Sequence, residues 1–151
     1  MDNIDRKILS LLQNDASLSI SEIASQVNLS STPCWKRIRR LEDEGIIRKR
    51  VALLDSDKIG GGIMVFISIK TNEHNQDWFN QFVTTVNGMS EVMGFYRLAG
   101  DVDYLMKVVV PDIASYNDFY LRLIDRLPLS NVTAGFVMGQ IKDTTELPLP
   151  H

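Results

Sequence analysis

The chain has 151 residues, of which 44% are hydrophobic and 23% are charged, and its formal net charge is -3. This composition excludes collagen-like, low-complexity and largely disordered chains. No apolar run approaches the roughly 20 residues that span a bilayer, and the first residues form no hydrophobic signal region. A lone cysteine, Cys34, cannot form an internal disulfide, and with only His74 and His151 a Cys/His zinc site is not expected. The sequence therefore predicts a cytoplasmic protein without a metal or a catalytic cofactor.

The charge is unevenly distributed along the chain. Residues 1–60 hold ten Lys and Arg against nine Asp and Glu, whereas residues 61–151 hold six against ten. Within the first part, residues 28–41 contain four basic side chains and no acidic one. Basic residues concentrated on one element let even an acidic protein bind a polyanion. A solvated helix surface is the alternative, and charge alone does not separate the two.

The first fifty residues have the pattern of three short helices. Asp2 is suited to cap the first helix, and residues 19–22 (SISE) form a capping box that opens the second. Asn28 is suited to a left-handed turn, Ser30 to the cap of the third helix, and Gly45 to its end. Two short helices joined by a tight turn, with the second helix basic, predict a helix-turn-helix.

A change of pattern after residue 45 indicates a domain boundary. Residues 46–54 are extended and partly basic, which suggests a wing-like strand followed by a linker. The three consecutive glycines at 60–62 favour irregular structure. We therefore predict a helix-turn-helix domain at 1–50, a linker at 51–61 and a second domain at 62–151.

The second domain alternates strand-like and helix-like segments. Strands are predicted at 63–69, 92–99, 104–110 and 132–140, with amphipathic helices after the first and third strands. The order βαββαβ is the ferredoxin-like arrangement, so the chain is predicted to be α+β. Helices on one face of an antiparallel sheet leave the other face open, which favours a homodimer.

Motifs for catalysis are absent from the sequence. It has no nucleophile elbow, P-loop, zinc-protease motif or dinucleotide fingerprint, and no nucleophile–base pair is recognisable. We therefore predict no catalytic residues and no enzyme activity. Cys34 is expected to be packed rather than redox-active, and His74 is expected at the surface.

The third predicted helix has a surface suited to double-stranded DNA. Hydroxyls and free amide hydrogens in its first turn suit phosphate oxygens, and its basic side chains fan around the helix. Arg37 is expected to pair with an acid instead, and Trp35 suits either nucleic acid or the core. The predicted DNA-contacting residues are Ser31, Thr32, Trp35, Lys36, Arg39 and Arg40.

Four segments together resemble the Lrp/AsnC family, the leucine-responsive or feast/famine transcription regulators of bacteria and archaea. They are the opening residues 2–12, the third helix and its turn at 31–47, the sequence GDVDYLM at 100–106, and the closing residues 140–149. The resemblance implies a winged or simple helix-turn-helix head and a ferredoxin-like domain that senses an amino acid. It also implies dimers, often assembled as octamers of four dimers.

The same resemblance implies an effector site at the turn between the two central strands. Gly100 offers backbone amides to a carboxylate, and an aspartate suits an ammonium group. The implied effector-binding residues are Arg97, Leu98, Gly100, Asp101, Asp103 and Tyr104, with Thr133, Ala134 and Gly135 from a neighbouring subunit. Gly135 leaves room for an apolar or sulfur-containing amino acid such as leucine, methionine or cysteine. The alternative is an amino-acid-sensing subunit that regulates an enzyme through protein contacts.

Overall fold

The computed structural model describes residues 1–73 and 75–150, so the surface position predicted for His74 lies outside the described residues. The chain divides into two compact units. The first comprises Met1–Leu53 and Ile141–His151, and the second comprises Leu54–Gln140. Each unit has its own hydrophobic core.

The first unit contains three helices: α1 (Asn3–Asn14), α2 (Ile20–Gln26) and α3 (Ser31–Asp43). Of the three predicted N-caps, Asp2 and Ser19 make the expected side-chain bonds, whereas Ser30 occupies its cap position without one. The side chain of Asp2 accepts a hydrogen bond from the backbone N–H of Asp5, and Ser19 with Glu22 forms the reciprocal capping box. These bonds satisfy amide hydrogens that have no partner inside the helix.

The connection from α2 to α3 is the predicted tight turn. Asn28 has a φ of 56°, the only positive φ of a non-glycine residue among those described. The backbone N–H of Leu29 then donates to the carbonyl of Ala24 at 2.9 Å. Gly45, with a φ of 71°, follows the end of α3, as glycine commonly does after a helix. The helix-turn-helix prediction is confirmed.

The wing-like strand expected within residues 46–54 is not formed in this structure. The segment has no strand assignment, and most of its side chains are exposed, including Val51 and Leu53. A strand needs a partner for its backbone groups, and this segment pairs with no other strand.

The closing residues of the chain belong to the first unit, although the predicted boundaries placed them in the second domain. Gln13 on α1 bonds to the backbone of Leu147 twice, accepting from its N–H at 2.7 Å and donating to its carbonyl at 3.1 Å. Leu149 packs against the helical core. The side chain of Leu149 and the two bonds between Gln13 and Leu147 attach the tail to the helical unit. Neither attachment produces a periodic pattern in the sequence. The boundaries of the DNA-binding and effector-binding domains, predicted at residues 50 and 62, stay a prediction.

The second unit is built on a four-stranded antiparallel sheet in the order β2-β3-β1-β4. A short 3-10 helix (Asp57–Ile59) precedes it. The elements in chain order are β1 (Ile63–Lys70), α4 (Gln76–Asn87), β2 (Val92–Arg97), β3 (Tyr104–Val110), α5 (Ile113–Arg126) and β4 (Asn131–Phe136). The predicted ferredoxin-like order is confirmed.

Two predicted strands are shorter in the structure than in the sequence pattern. β2 ends at Arg97, because the N–H of Leu98 bonds to the carbonyl of Asp103 at 2.8 Å and closes the turn to β3. β4 ends at Phe136, opposite Val65 near the beginning of β1, and only one further bond, from Val137 to Met64, follows.

Both helices of the second unit pack on one face of the sheet. Trp78 and Phe82 of α4 and Phe119 of α5 share a core with inward-facing residues such as Ile67 and Met106. The opposite face carries the alternate residues of β1 and β3, including Phe66, which remains 38% exposed. Among the described residues, no helix is long and apolar enough to cross a membrane.

A buried carboxylate connects α3 to the first turn of α1 in the helical unit. Asp5 is only 1% exposed, and it accepts hydrogen bonds from the N–H of Asp2 at 2.9 Å, from Arg37 at 2.8 Å and from Arg40 at 2.6 Å. A carboxylate removed from water must be paired with hydrogen-bond donors or opposite charges. These charge-assisted bonds supply that pairing. We name Asp5, Arg37 and Arg40 the carboxylate clamp.

Hydrogen bonds at the carboxylate clamp lower the pKa of two carboxyl groups, those of Asp5 and of its neighbour Asp2. Burial by itself raises the pKa of Asp5, but the bonds from the Asp2 N–H and from Arg37 outweigh burial and hold it below its usual range. The bonds from the Asp5 backbone and from Arg37 lower the pKa of Asp2 to about 2.

Replacing Asp5 with Asn is expected to destabilise the helical unit by about 2 kcal/mol at neutral pH, because two guanidinium groups lose a charged acceptor. The folded-state pKa of Asp5 lies below its unfolded-state value. Its stabilising contribution is therefore complete above about pH 4 and is lost as the pH falls through the folded-state pKa. The difference between wild type and variant should shrink accordingly in acid.

Urea unfolding followed by Trp35 fluorescence measures this effect, in a Trp78→Phe background so that only the first unit reports. Asp43→Asn, which removes an exposed charge on α3, serves as the control. Equal unfolding free energies for wild type and Asp5→Asn at pH 7 contradict the assigned role.

Candidate nucleic-acid interface and effector site

All six predicted DNA-contacting residues lie on the exposed surface of α3. They are Ser31, Thr32, Trp35, Lys36, Arg39 and Arg40. Ser30 occupies the cap position but makes no side-chain cap bond, so the first-turn amide hydrogens of α3 are not satisfied by it. The helix thus combines hydroxyls, free amides and basic side chains on an accessible surface, as phosphate contact requires.

The basic residues of α3 divide into two that bond to the buried Asp5 and two that do not. Arg37 bonds to both Asp2 and Asp5, at 2.7 and 2.8 Å, which confirms its expected pairing with an acid. Arg40 was assigned to DNA alone, yet it also bonds to Asp5 and lies 3.8 Å from Glu44. Its side chain remains 47% exposed, so it presents charge to solvent while the clamp fixes its orientation.

The remaining two cations of α3 are less constrained. Arg39 makes a single 3.4 Å contact with Glu42 on the exposed surface, a kind of pair that stabilises little. Lys36 makes no ion pair with any of the residues described. Both side chains are therefore available to an external polyanion.

Trp35 and its neighbour Cys34 have opposite environments. Trp35 is 49% exposed, so the structure favours its availability to a ligand over a place in the core. Cys34 is buried, and burial raises the pKa of its thiol. A buried thiol held protonated is a poor nucleophile, which agrees with the predicted packing role.

The predicted effector turn joins β2 to β3 at residues 98–103. Gly100 has a φ of 150°, a conformation that residues with a side chain rarely adopt. The carboxylates of this turn already have partners. Asp103 accepts from the N–H of Thr71 at 2.8 Å, and Asp101 pairs with Lys70 at 2.8 Å. Asp103 therefore also anchors the turn to the end of β1.

The nine predicted effector residues do not form one pocket within a single chain. Arg97 pairs with Tyr104 in register, on the face that α4 and α5 cover. Thr133 and Gly135 pair with Ser68 and Phe66 on the opposite face, whereas Ala134 packs against the covered core. Strand β4 also lies on the far side of β1 from the turn. One ligand can contact all of these residues only if a neighbouring subunit supplies some of them.

Only two of the nine residues, Arg97 and Tyr104, line a cleft of about 100 Å³ beside the start of α4. The other described residues around it are Glu73, Asn75, Gln76, Trp78 and Phe79. Trp78 is 6% exposed, and its indole Nε1 has no hydrogen-bond partner among the described residues. An orphaned buried donor is unusual in a folded protein.

Sequence reasoning missed the clamp and most of the cleft. Asp5 lies one turn before Ile8 and Leu9, on the apolar side of α1, and an acid in that position was a usable signal. The helical spacing of Trp78 with its apolar neighbours predicts only a place in the core. Nothing in that periodicity shows that the indole nitrogen has no hydrogen-bond partner among the described residues.

Comparison with known families matches both parts of the chain. A model described as winged helix-turn-helix DNA-binding matches residues 1–48, and the Lrp/AsnC ligand binding domain matches residues 64–147.

Individual relatives agree over nearly the whole length. The DNA-binding transcriptional activator DecR of Escherichia coli (strain K12) is 54% identical over 150 residues, covering 99% of each chain. The crystal structure of an AsnC family transcriptional regulator from Agrobacterium tumefaciens is 51% identical, with a TM-score of 0.94 over 98% of this chain and 97% of that one. A transcriptional regulator from Neisseria meningitidis, solved as its L-Met complex, is 33% identical, with a TM-score of 0.93 over 98% and 96%.

The relatives are named as regulators of transcription, and the matched domains bind DNA and an amino acid ligand. The protein described here is accordingly a regulator rather than an enzyme. It belongs to the Lrp/AsnC family of DNA-binding transcription regulators.

Proposed function

We propose that α3 is the helix that contacts DNA and that Ser31, Thr32, Trp35, Lys36, Arg39 and Arg40 form the contact surface in this cytoplasmic regulator. The observation that carries the proposal is the division of cations on α3. Arg37 and Arg40 are held by Asp5, which fixes the helix against α1, while Lys36 and Arg39 are exposed and Arg39 makes only a weak 3.4 Å contact with Glu42. A rigid helix with projecting cations is suited to a DNA groove.

Replacing Lys36 or Arg39 with Ala is expected to weaken specific DNA binding by roughly 1 to 3 kcal/mol. Each lost phosphate contact should also reduce the slope of log affinity against log salt by about one, because fewer counterions are released. Fluorescence anisotropy at several salt concentrations measures both, with DNA enriched by the wild-type protein from a random pool.

Arg126→Ala, which removes an exposed cation from the end of α5, is the matched control and should bind DNA as wild type does. Arg40→Ala should weaken binding and also lower the stability of the helical unit, because it opens the clamp. Unchanged affinity and salt slope in the folded Lys36/Arg39 double variant would count against the placement. That result would favour the alternative, a head that makes protein contacts only.

The open face of the sheet supports a second proposal, that the protein is a homodimer, assembled further as an octamer of four dimers. Met64 and Phe66 of β1 and Leu105 and Val109 of β3 lie on this face, uncovered by α4 or α5. Apolar side chains left uncovered on a sheet face mark an interaction site, and Ser68 and Lys107 share this face with them. Twofold symmetry of the dimer then predicts a nearly palindromic DNA site.

Light scattering tests the assembly. Wild type is expected to have a mass at least twice that of the 17.1 kDa chain. Phe66→Asp should reduce this mass because it places a charge in the interface. Leu121→Asp introduces the same charge at an exposed apolar position on α5 and should leave the mass unchanged. A 17.1 kDa particle for wild type at micromolar concentration refutes the proposal.

The effector is proposed to be an apolar or sulfur-containing amino acid bound by residues of the turn and of β4. Two observations support this class. A Cβ atom at Gly135 would meet only the Phe66 carbonyl, at 3.8 Å, so this position leaves room for a side chain of the ligand. The similar Neisseria meningitidis regulator was solved with L-Met. Calorimetric titration with the twenty amino acids tests the class, and binding of charged amino acids alone overturns it.

A further inference from the structure

Trp35 is the one large apolar side chain that is exposed on α3. It is 49% exposed, whereas Cys34, Ile38 and Leu41 of the same helix are buried in the helical core. Its ring makes no stacking contact, cation–π contact or hydrogen bond with the part of the chain that the structure describes. An aromatic ring left outside the core can still bury its apolar area against a partner.

Trp35 stands among the polar side chains of the proposed DNA contact surface. Ser31 lies one turn before it and Arg39 one turn after it, and residues four apart are neighbours on a helix surface. Successive helical residues are about 100° apart around the axis, so Lys36 lies nearly opposite the buried Cys34 and Trp35 lies between them. A helix that presents Lys36 to a groove of DNA therefore brings the ring of Trp35 to the side of the same groove.

The ring and the charged side chains of α3 suit different groups of DNA. Cations and hydroxyls pair with phosphate oxygens and with acceptors on the bases. The C5-methyl group of thymine is the one methyl group that base edges present in the major groove, where they otherwise offer hydrogen-bond donors and acceptors. A ring laid over those polar atoms leaves them unpaired, whereas a ring against a methyl group buries apolar surface on both partners. The chemistry of an indole ring in this place therefore favours thymine.

We propose that Trp35 is a specificity-determining residue that recognises thymine through its C5-methyl group in the major groove. The inference rests on the proposed placement of α3 on DNA and adds the base that the helix prefers. Lys36, Arg39 and Arg40 then supply affinity through the phosphates, and the uncharged ring of Trp35 supplies part of the sequence preference.

Deoxyuridine in place of thymine tests the contact without altering the protein, because the two bases differ only in the C5-methyl group. Each thymine of the DNA enriched by the wild-type protein is replaced singly, and affinity is measured by fluorescence anisotropy. At one or two positions the wild-type protein is expected to bind about fourfold more weakly, the effect of one buried methyl group. The same replacements should leave the affinity of Trp35→Ala unchanged, because that variant lacks the ring.

Variants of Trp35 separate the ring from its N–H and from the neighbouring charges. Trp35→Ala is expected to weaken specific binding about tenfold but to leave the slope of log affinity against log salt unchanged, because no charge is removed. Trp35→Phe keeps an aromatic ring and should retain most of the affinity and the sensitivity to deoxyuridine. Leu121→Ala removes an apolar side chain of similar exposure, 51%, from α5 and should bind DNA as wild type does.

The exposed position of Trp35 also predicts that its variants keep the free energy of unfolding of wild type. Urea unfolding followed by circular dichroism checks this. A loss of DNA affinity in a variant of wild-type stability then reports on the contact with DNA.

The outcomes distinguish this inference from the placement of α3. Weaker binding in the Lys36/Arg39 double variant, together with full affinity in Trp35→Ala or no effect of deoxyuridine at any thymine, overturns the role of Trp35 alone. Equal losses from deoxyuridine in wild type and Trp35→Ala assign the methyl contact to another residue and also overturn it. Equal losses of affinity in Trp35→Phe and Trp35→Ala, without an effect of deoxyuridine, assign the indole N–H to a phosphate and overturn thymine recognition. Unchanged affinity in the double variant overturns the placement on which the inference rests.

Discussion

The DNA-binding half of the protein depends on one buried carboxylate. Asp5 has almost no contact with solvent, so its charge requires partners, and two of these are guanidinium groups on α3. Since α3 is held at Arg37 and Arg40, its rotation and sliding relative to α1 are restricted. The apolar core joins the same helices but lacks direction, whereas hydrogen bonds to a carboxylate impose a geometry. We infer that the clamp sets the orientation of α3.

The two units cover their hydrophobic cores in different ways. The helical unit encloses its core on its own, with help from the closing tail around Leu149. The sheet unit covers one face with helices and leaves Phe66 and its neighbours uncovered on the other, which is the basis of the proposed dimer. In the sheet unit the carboxylates of Asp101 and Asp103 have partners, whereas Arg97 and the Trp78 indole nitrogen have none among the described residues.

The features that the sequence predicted correctly are governed by neighbouring residues. Caps at Asp2 and Ser19, the left-handed Asn28 and the order βαββαβ all follow from local chemistry or short-range periodicity. The attachment of the tail to Gln13 and the clamp at Asp5 join residues at least thirty positions apart, so no local pattern contains them. The effector set stays a prediction for a related reason. Which face of the sheet Arg97 and Thr133 share depends on strand register, which the structure supplies and composition does not.

DNA affinity of the Asp5→Asn variant tests the central claim most directly. The substitution touches no residue of the proposed contact surface except through Arg40, and it leaves the second unit unaltered. If the clamp orients α3, the folded variant should bind the enriched DNA about tenfold more weakly than wild type at neutral pH, with unchanged affinity for an amino acid. Equal DNA affinity in a folded Asp5→Asn protein would contradict the account.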